Sequence, residues 1–487
     1  MSATRSQSSV DGLSSLPDAL LIYILSFLTA KDAVKSSVLS KRWNNLWLQI
    51  SSLLFSHADS GCSLDTFAAF VTQVLIFHEA PKIRRFHLQM EGYQEHLAPA
   101  VDEWLRFAIT RQAEDLNLEF NASSHQNTQH LSLHEFFYNN QSLRLLSLQG
   151  FRLCHTDGAV CWPCLTRLCL THIEMEDEQM RKILCGSPSL LDLEIVNCQG
   201  LLSLNLTGMN VKNVSVGLVW QEEGVSGLKL LIPKVVSLSL SGDLEIEDYF
   251  IEDATSLERA EIGFELENCN ECVHRGEGQI FKRLRRIVES LNHAKVLSVK
   301  STCVEMFSVC EMLTLFPPPA ISHKRKCLIL ETTQKKHELP GIFQLLRRSP
   351  EIEKLTIKTC EALGADLCDD ECKPKCRFNR ALYLEYMGES FSKLHQNLKT
   401  VEFHSFLRQD LDSEFREDDE KLQRLSEKEV EVINFFLKNA QGLEEAVICV
   451  NKEKNMGDPK PQELMCNMFE NLSTSSRASP DARVLFL

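Results

Sequence analysis

Read as a pattern of apolar and polar positions, the first fifty residues are helical. Ser15, Pro17 and Asp18 supply a hydroxyl, a ring of preset φ and a carboxylate, the ingredients of a helix start. Apolar residues then recur at Leu20, Leu21, Ile24, Leu25, Phe27 and Leu28, a wide helical stripe. Thr29 and Asp32 repeat the start signal ahead of Ala33, Val34 and Val38. Ser40 opens a third stretch with Trp43, Leu46 and Trp47. Three short helices with apolar faces this large cannot cover one another, so a partner surface is expected to bury the rest.

From Lys82 the texture changes to a six-residue unit, apolar-x-x-apolar-x-apolar. It stands at Ile83/Phe86/Leu88, Ala113/Leu116/Leu118, Leu143/Leu146/Leu148, Leu165/Leu168/Leu170 and Leu190/Leu193/Ile195. It returns at Leu201/Leu204/Leu206, Val211/Val214/Val216, Val235/Leu238/Leu240, Leu257/Ala260/Ile262 and Ala294/Leu297/Val299. Later copies are Ile352/Leu355/Ile357, Leu398/Val401/Phe403 and Leu443/Ala446/Ile448. From Leu143 to Leu257 the spacing is mostly 21 to 25 residues, with Leu201 as an extra match. One such match means little. A long series at near-constant period is the signature of leucine-rich repeats, in which short strands stack their apolar residues unit on unit. The pattern breaks near Asn268, where the next copy lies 37 residues on and helical spacing appears over 281–291 and 339–349. Helices inserted between strands are expected there. The final Val484-Leu485-Phe486 reads as an edge strand or a packed tail.

Composition adds little to the fold and more to the partners. The 487 residues carry a formal net charge of -15, from 52 Lys+Arg and 67 Asp+Glu, which argues against non-specific binding of nucleic acid or an anionic membrane. Much of that acid falls between Arg408 and Glu431. Met1–Gly12 is polar with no apolar core, and Leu20–Leu28 is far shorter than a membrane span. Cytoplasm or nucleus is therefore expected, and most of the 18 cysteines should be free thiols packed as small hydrophobes.

Three groups of residues suggest other chemistry. Cys161-Trp162-Pro163-Cys164 has redox spacing but runs straight into a repeat strand, not into the helix N-terminus that a reactive thiolate requires. Cys269, Cys272 and His274 are half of a zinc set, and Cys368, Cys372 and Cys376 lie four apart in a polar stretch, so metal binding at either is open and none is assigned. Lys282, Arg283, Arg285 and Arg286 read as a solvated helix face, and His323–Lys326 as a weak nuclear-import run. No phosphate loop, nucleophile elbow or paired-carboxylate motif is present, so neither catalysis nor a cofactor is expected.

The stretch from Leu13 to Trp47 closely resembles the F-box motif. Leu16-Pro17, Ile24-Leu25-Ser26-Phe27-Leu28, Ala33-Val34 and Val38-Leu39-Ser40-Lys41-Arg42-Trp43 with Trp47 carry the match at matching spacing. The remainder resembles the plant F-box/leucine-rich-repeat family that ends in an FBD domain. That match rests on Asn397–Phe403, Phe436–Ala440 with Leu443, and Ser476–Pro480 followed by Val484–Phe486, while 360–380 and the acidic run at 410–420 depart from it.

The resemblance implies an α/β chain: a disordered tail (1–12), a three-helix F-box (13–50), a leucine-rich-repeat solenoid (51–350) and an FBD-like C-terminal region (351–487). It implies a non-catalytic substrate receptor of an SCF-type cullin–RING ubiquitin ligase. An SKP-family adaptor would bridge it to the cullin, and an unknown protein target would bind the repeats. The residues carried over as adaptor-facing or motif-defining are Leu16, Pro17, Leu20, Ile24, Leu25, Val38, Leu39 and Trp43. Helix stripes are more often core than interface, which weighs toward packing for Leu25, Phe27 and Leu28. Target contacts are expected on the exposed strand positions, represented by Arg144, Ser147, Arg167, Cys169, Asp192 and Glu194. Those positions lack the dense basic lining that an anionic small-molecule ligand needs. The other reading is a repeat scaffold that binds the adaptor without joining an active ligase.

Overall fold

The computed structural model describes residues 16–92, 94–121, 131–153, 158–220, 227–243, 248–265, 278–312, 321–333, 338–360, 379–406, 430–450, 470–472 and 475–486. The zinc-like cysteine groups, the acidic run after Arg408 and the N-terminal tail lie outside them. The chain packs as two units, Met1–Val211 with Val219–Glu223, and Lys212–Leu218 with Gly224–Leu487.

The first unit begins with helix α1 (Asp18–Leu25), which starts on Pro17, whose carbonyl accepts from Leu20 and Leu21. Helix α2 (Ala30–Lys35) is capped by Thr29, whose hydroxyl accepts from the Asp32 N–H. The third expected helix is instead 3₁₀ in character, a turn at Ser36–Val38 followed by Trp43–Gln49. Arg42 ties the piece together, donating from Nε to Asp18 Oδ1 at 2.7 Å and from Nη2 to the Leu16 carbonyl. Leu21, Leu25, Ala30, Ala33, Trp43 and Leu46 are buried together as its core.

Six parallel strands follow: β1 (Ser52–Ser56), β2 (Arg85–Glu91), β3 (Asp115–Asn121), β4 (Leu145–Gln149), β5 (Arg167–Thr171) and β6 (Asp192–Gln199). Helices α3 (Leu64–Phe77), α4 (Ala98–Thr110) and α5 (Asp177–Gly186) lie in the connections. Register runs straight across, with Leu53, Phe86, Leu116, Leu146, Leu168 and Leu193 in one row and Phe55, Leu88, Leu118, Leu148, Leu170 and Ile195 in the next. Both rows are buried, as the six-residue pattern requires, because side chains of period two place one set against the core. Ile50/Leu53/Phe55 is a further copy, with its first position inside the F-box stretch. The extra match at Leu201 falls on a short strand, Ser203–Asn205, outside this ladder.

The second unit repeats the arrangement. Its strands are β7 (Asn213–Trp220), β8 (Ser237–Asp243), β9 (Arg259–Glu265), β10 (Val296–Val299), β11 (Cys327–Thr332), β12 (Lys354–Thr359), β13 (Thr400–Phe406), β14 (Glu445–Val450) and β15 (Arg483–Phe486). All neighbours are parallel. The irregular spacing after Asn268 is filled by helices α6 (Gly278–Ser290), α7 (Ser301–Met312), α8 (Glu338–Arg347) and α9 (Arg380–Leu394). Val484–Phe486 is an edge strand.

One repeat of this unit breaks the apolar code. Leu328 and Leu330 occupy the second and third core positions of β11, and the first is Arg325, 0% exposed. Its Nη2 donates to the Leu291 carbonyl just past α6 at 3.3 Å, and its Nη1 to the Ser349 hydroxyl beyond α8 at 3.2 Å. A main-chain carbonyl just past one helix and a serine hydroxyl just past another thus hold a buried cation. Burial lowers its pKa to about 10, so it stays charged at neutral pH. In the run His323–Lys326 Arg325 is thus internal, while His323, Lys324 and Lys326 stay exposed and Lys326 pairs with Glu353 at 2.9 Å. No helix among the described residues is long and apolar enough to cross a membrane.

Candidate functional site

Helix α1 is apolar on two sides. Leu21 and Leu25, one turn apart, face inward. Leu20, Tyr23 and Ile24, and Phe27 and Leu28 just beyond the helix, stay exposed. Tyr23 and Phe27 stack edge to face with centroids 4.9 Å apart. On the 3₁₀ turn and just past it, Val38 is 85% and Leu39 67% exposed. Pro17 is exposed and Leu16 half-buried. Two of the expected contact residues are corrected. Leu25 (1% exposed) shares the inward stripe of Leu21, and Trp43 (6%) opens a 3₁₀ segment whose Leu46, three residues on, is also internal. Both hold the surface from beneath. Phe27 and Leu28, weighed toward packing, are outside, and Tyr23 was missed. A stripe spanning more than one helix face was the available signal.

This surface is fixed to the first repeat. Lys31 Nζ donates to the carbonyls of Asp59 and Ser60, at 3.0 and 2.9 Å, in the loop after β1. A cleft of about 210 Å³ lies beside it, with Leu54, Phe55, Phe67 and Phe70 among its walls. That is smaller than the ~300–1,000 Å³ usual for small-molecule sites.

The side of the first sheet away from the core displays polar rows. Leu145, Arg167 and Asp192 align in one row, and Ser147, Cys169 and Glu194 in the next. Arg167 Nη2 lies 3.4 Å from Glu194 Oε2, and the Cys169 thiol donates to the same oxygen at 3.3 Å. Five of the six expected target residues are thus brought together. Arg144 is not among them: it precedes β4, outside the rows, and its carbonyl anchors the N–H groups of Thr166 and Arg167. The rows extend to pairs that strand pattern alone did not single out, His87 Nε2 with Asp115 at 3.1 Å and Asn117 donating to Glu119 at 2.8 Å.

Burial is the main cause that pushes the Cys169 thiol up to about 11, and Cys198 and Cys303, deeper still, to about 12. Cys161, Cys164 and Cys185 are exposed. Alkylation with iodoacetamide at pH 7.5, followed by peptide mass mapping, is expected to label those three first among the described cysteines. Cys169 should lag by at least about tenfold, because its thiolate fraction is lower. The Cys161–Cys164 pair flanks the buried Trp162 and leads into β5, as its sequence context implied. Among the described residues no group of three or more His, Cys, Asp or Glu could hold a metal ion. The three arginines of α6 are held by acids: Asp248 takes Arg286 at 2.8 Å and Arg283 at 3.8 Å, and Glu289 takes Arg285 at 2.8 Å.

An N-terminal apolar helical platform followed by stacked parallel strands defines a docking module joined to a leucine-rich-repeat domain. The F-box domain model matches residues 13–54, and the model described as At1g61320/AtMIF1, LRR domain, matches residues 74–410. The chain belongs to the F-box/leucine-rich-repeat family. The Arabidopsis thaliana F-box/LRR-repeat protein At5g02910 is 30% identical over 359 residues, covering 72% of this chain and 73% of the relative. Two F-box/FBD/LRR-repeat proteins of the same plant match over shorter spans. At2g04230 is 30% identical over 264 residues (52% of this chain, 58% of the relative), and At4g26340 is 33% identical over 201 residues (41% and 46%).

Proposed function

We propose that the protein is the substrate-receptor subunit of an SCF-type cullin–RING ubiquitin ligase. Its F-box docks an SKP-family adaptor that bridges to the cullin, and the exposed strand rows of the repeats hold a protein target. The region 351–487 closes the array as an FBD-like cap, and the protein works in the cytoplasm or nucleus. It supplies no catalytic group. Its contribution is to raise the effective concentration of target beside the ubiquitin-charged enzyme.

The observation that carries this reading is the apolar platform of Leu20, Tyr23, Ile24, Phe27, Leu28, Val38 and Leu39, left exposed on a piece whose own core is already filled. Exposed apolar groups in such density mark a partner surface. The test is assembly of the full chain with an SKP-family adaptor and a cullin, read by size-exclusion chromatography. A three-component complex is expected. Adaptor binding without cullin would favour the scaffold reading instead.

A further inference from the structure

We infer that the cleft beside β1 is a binding site for a small uncharged molecule, one with an apolar body the size of a single ring and a hydrogen-bonding head such as an amide. The inference stands apart from the adaptor-docking reading, since it needs neither adaptor nor target.

One side of the cleft is apolar. Phe55 and Phe67 in its wall are buried, and Leu54 and Phe70 are half-buried. Leu54 is out of place by the logic of the repeats. In register it begins the row of His87, Asn117, Ser147, Cys169 and Glu194, and it is the one aliphatic member. The wall of the cleft accounts for a leucine where the other strands carry polar groups. Strand β1 is also the first of its sheet, with β2 on one side only. The Arg85 N–H bonds to the Ser51 carbonyl at 3.2 Å, and the His57 N–H to the Gln89 carbonyl at 2.9 Å. The odd-numbered residues of β1 thus turn their backbone groups toward β2. Leu54 and Ser56, both in the wall of the cleft, turn theirs to the outer edge.

The other side is the loop after β1, and it is braced. Lys31 reaches from α2 to hold the carbonyls of Asp59 and Ser60. Within the loop the Ser60 hydroxyl donates to the His57 carbonyl at 2.6 Å, and the Cys62 thiol to the Ser60 oxygen at 3.2 Å. His57 Nε2 lies 2.9 Å from the Cys62 carbonyl. A cleft whose walls are already tied in place spends little of a ligand's binding energy on ordering itself.

Size and charge fix the class of ligand. About 210 Å³ is too small for a drug-sized molecule, but it exceeds the ~150 Å³ of an apolar cavity that takes up benzene. The two charged side chains at the cleft, Lys31 and Asp59, are of opposite sign, so neither an anion nor a cation is favoured. A charged group would also lose its hydration against the aromatic wall. An amide head both donates and accepts, which matches the outward N–H and C=O of Leu54.

The test takes benzamide as the probe and the full chain alone. Calorimetric titration is expected to show one site with a dissociation constant of about 0.1–1 mM, within reach of so few heavy atoms. Benzoate, of equal size but charged, should bind at least about fivefold more weakly. With benzamide at about ten times its dissociation constant, alkylation of Cys62 by iodoacetamide should slow at least about fivefold. Cys185, which does not line the cleft, should react as before. Thr66→Phe and Cys62→Phe each place a ring of the protein's own in the cleft and should abolish binding, with folding checked by the circular-dichroism melt. Protection of Cys62 in the parent needs no variant, so a variant that fails to fold leaves the test intact. Absence of heat and of protection in the parent would overturn the inference. So would benzoate binding as tightly as benzamide, or undiminished binding by a folded Thr66→Phe chain.

Discussion

Replacing Val38 and Leu39 together by aspartate is expected to abolish capture by an SKP-family adaptor, weakening binding by more than about 100-fold. Each side chain offers about 1.5–3 kcal/mol if a partner fully covers it. A carboxylate in the same place adds the cost of burying an unpaired charge. Loss of ~3 kcal/mol or more exceeds two decades in affinity at about 1.4 kcal/mol per decade. Both residues are largely exposed in the chain alone, so thermal unfolding should be unchanged. That separates this variant from Leu25→Ala or Trp43→Ala, which remove core side chains and should lose capture together with stability. Affinity is measured by calorimetry and stability by the circular-dichroism melt of the same samples. Full binding by the aspartate variant would remove Val38 and Leu39 from the interface.

Trp162→Ala is expected to cost about 3–5 kcal/mol of stability in the first unit, the largest effect of a single side chain there. The indole is fully buried, its Nε1–H donates to the Phe137 carbonyl at 3.1 Å, and its ring stacks on Tyr138 and meets Phe137 edge-on. Truncation leaves both a cavity and a carbonyl without its donor. The site cannot collapse easily. The Trp162 N–H is bonded to the Gly186 carbonyl, and a Cβ at Gly186 would come within 2.2 Å of the Val160 oxygen, so the chains already lie as close as glycine allows. Repeats hold one another mainly through neighbours, so the loss should reach β5 and loosen the Arg167–Cys169–Glu194 cluster. Urea unfolding gives the magnitude. Faster alkylation of Cys169 in the variant reports the spread, and an unfolding free energy within about 1 kcal/mol of the parent would contradict this account.

The repeat strands were legible because burial on one face imposes period two on every copy. Where that rule held, as at Leu146/Leu148 or Leu238/Leu240, the sequence pattern named core residues correctly. It failed at β11 because a guanidinium fills the apolar slot there, and only tertiary structure brings a carbonyl and a hydroxyl from just past two helices to meet it. It failed at β1 because Ile50 belongs at once to the end of the F-box and to the first repeat. In α1 the type of surface was legible and the facing was not. With apolar residues at 20, 21, 23, 24, 25, 27 and 28, periodicity cannot say which stripe faces inward: it weighs Leu25, Phe27 and Leu28 alike toward packing, and only Leu25 is buried. The polar cluster was partly legible, since the alternation that exposes Arg167 and Cys169 also exposes Asp192 and Glu194. Arg144 fell outside because β4 begins one residue after it.

The central claim, a receptor that joins adaptor and cullin through its F-box, is tested most directly by mixing the full chain with an SKP-family adaptor and a cullin and measuring the mass of the assembly by light scattering. The account predicts one complex containing one copy of each, absent when Val38 and Leu39 are aspartate. A parent chain that elutes alone, or that carries adaptor while excluding cullin, would contradict it.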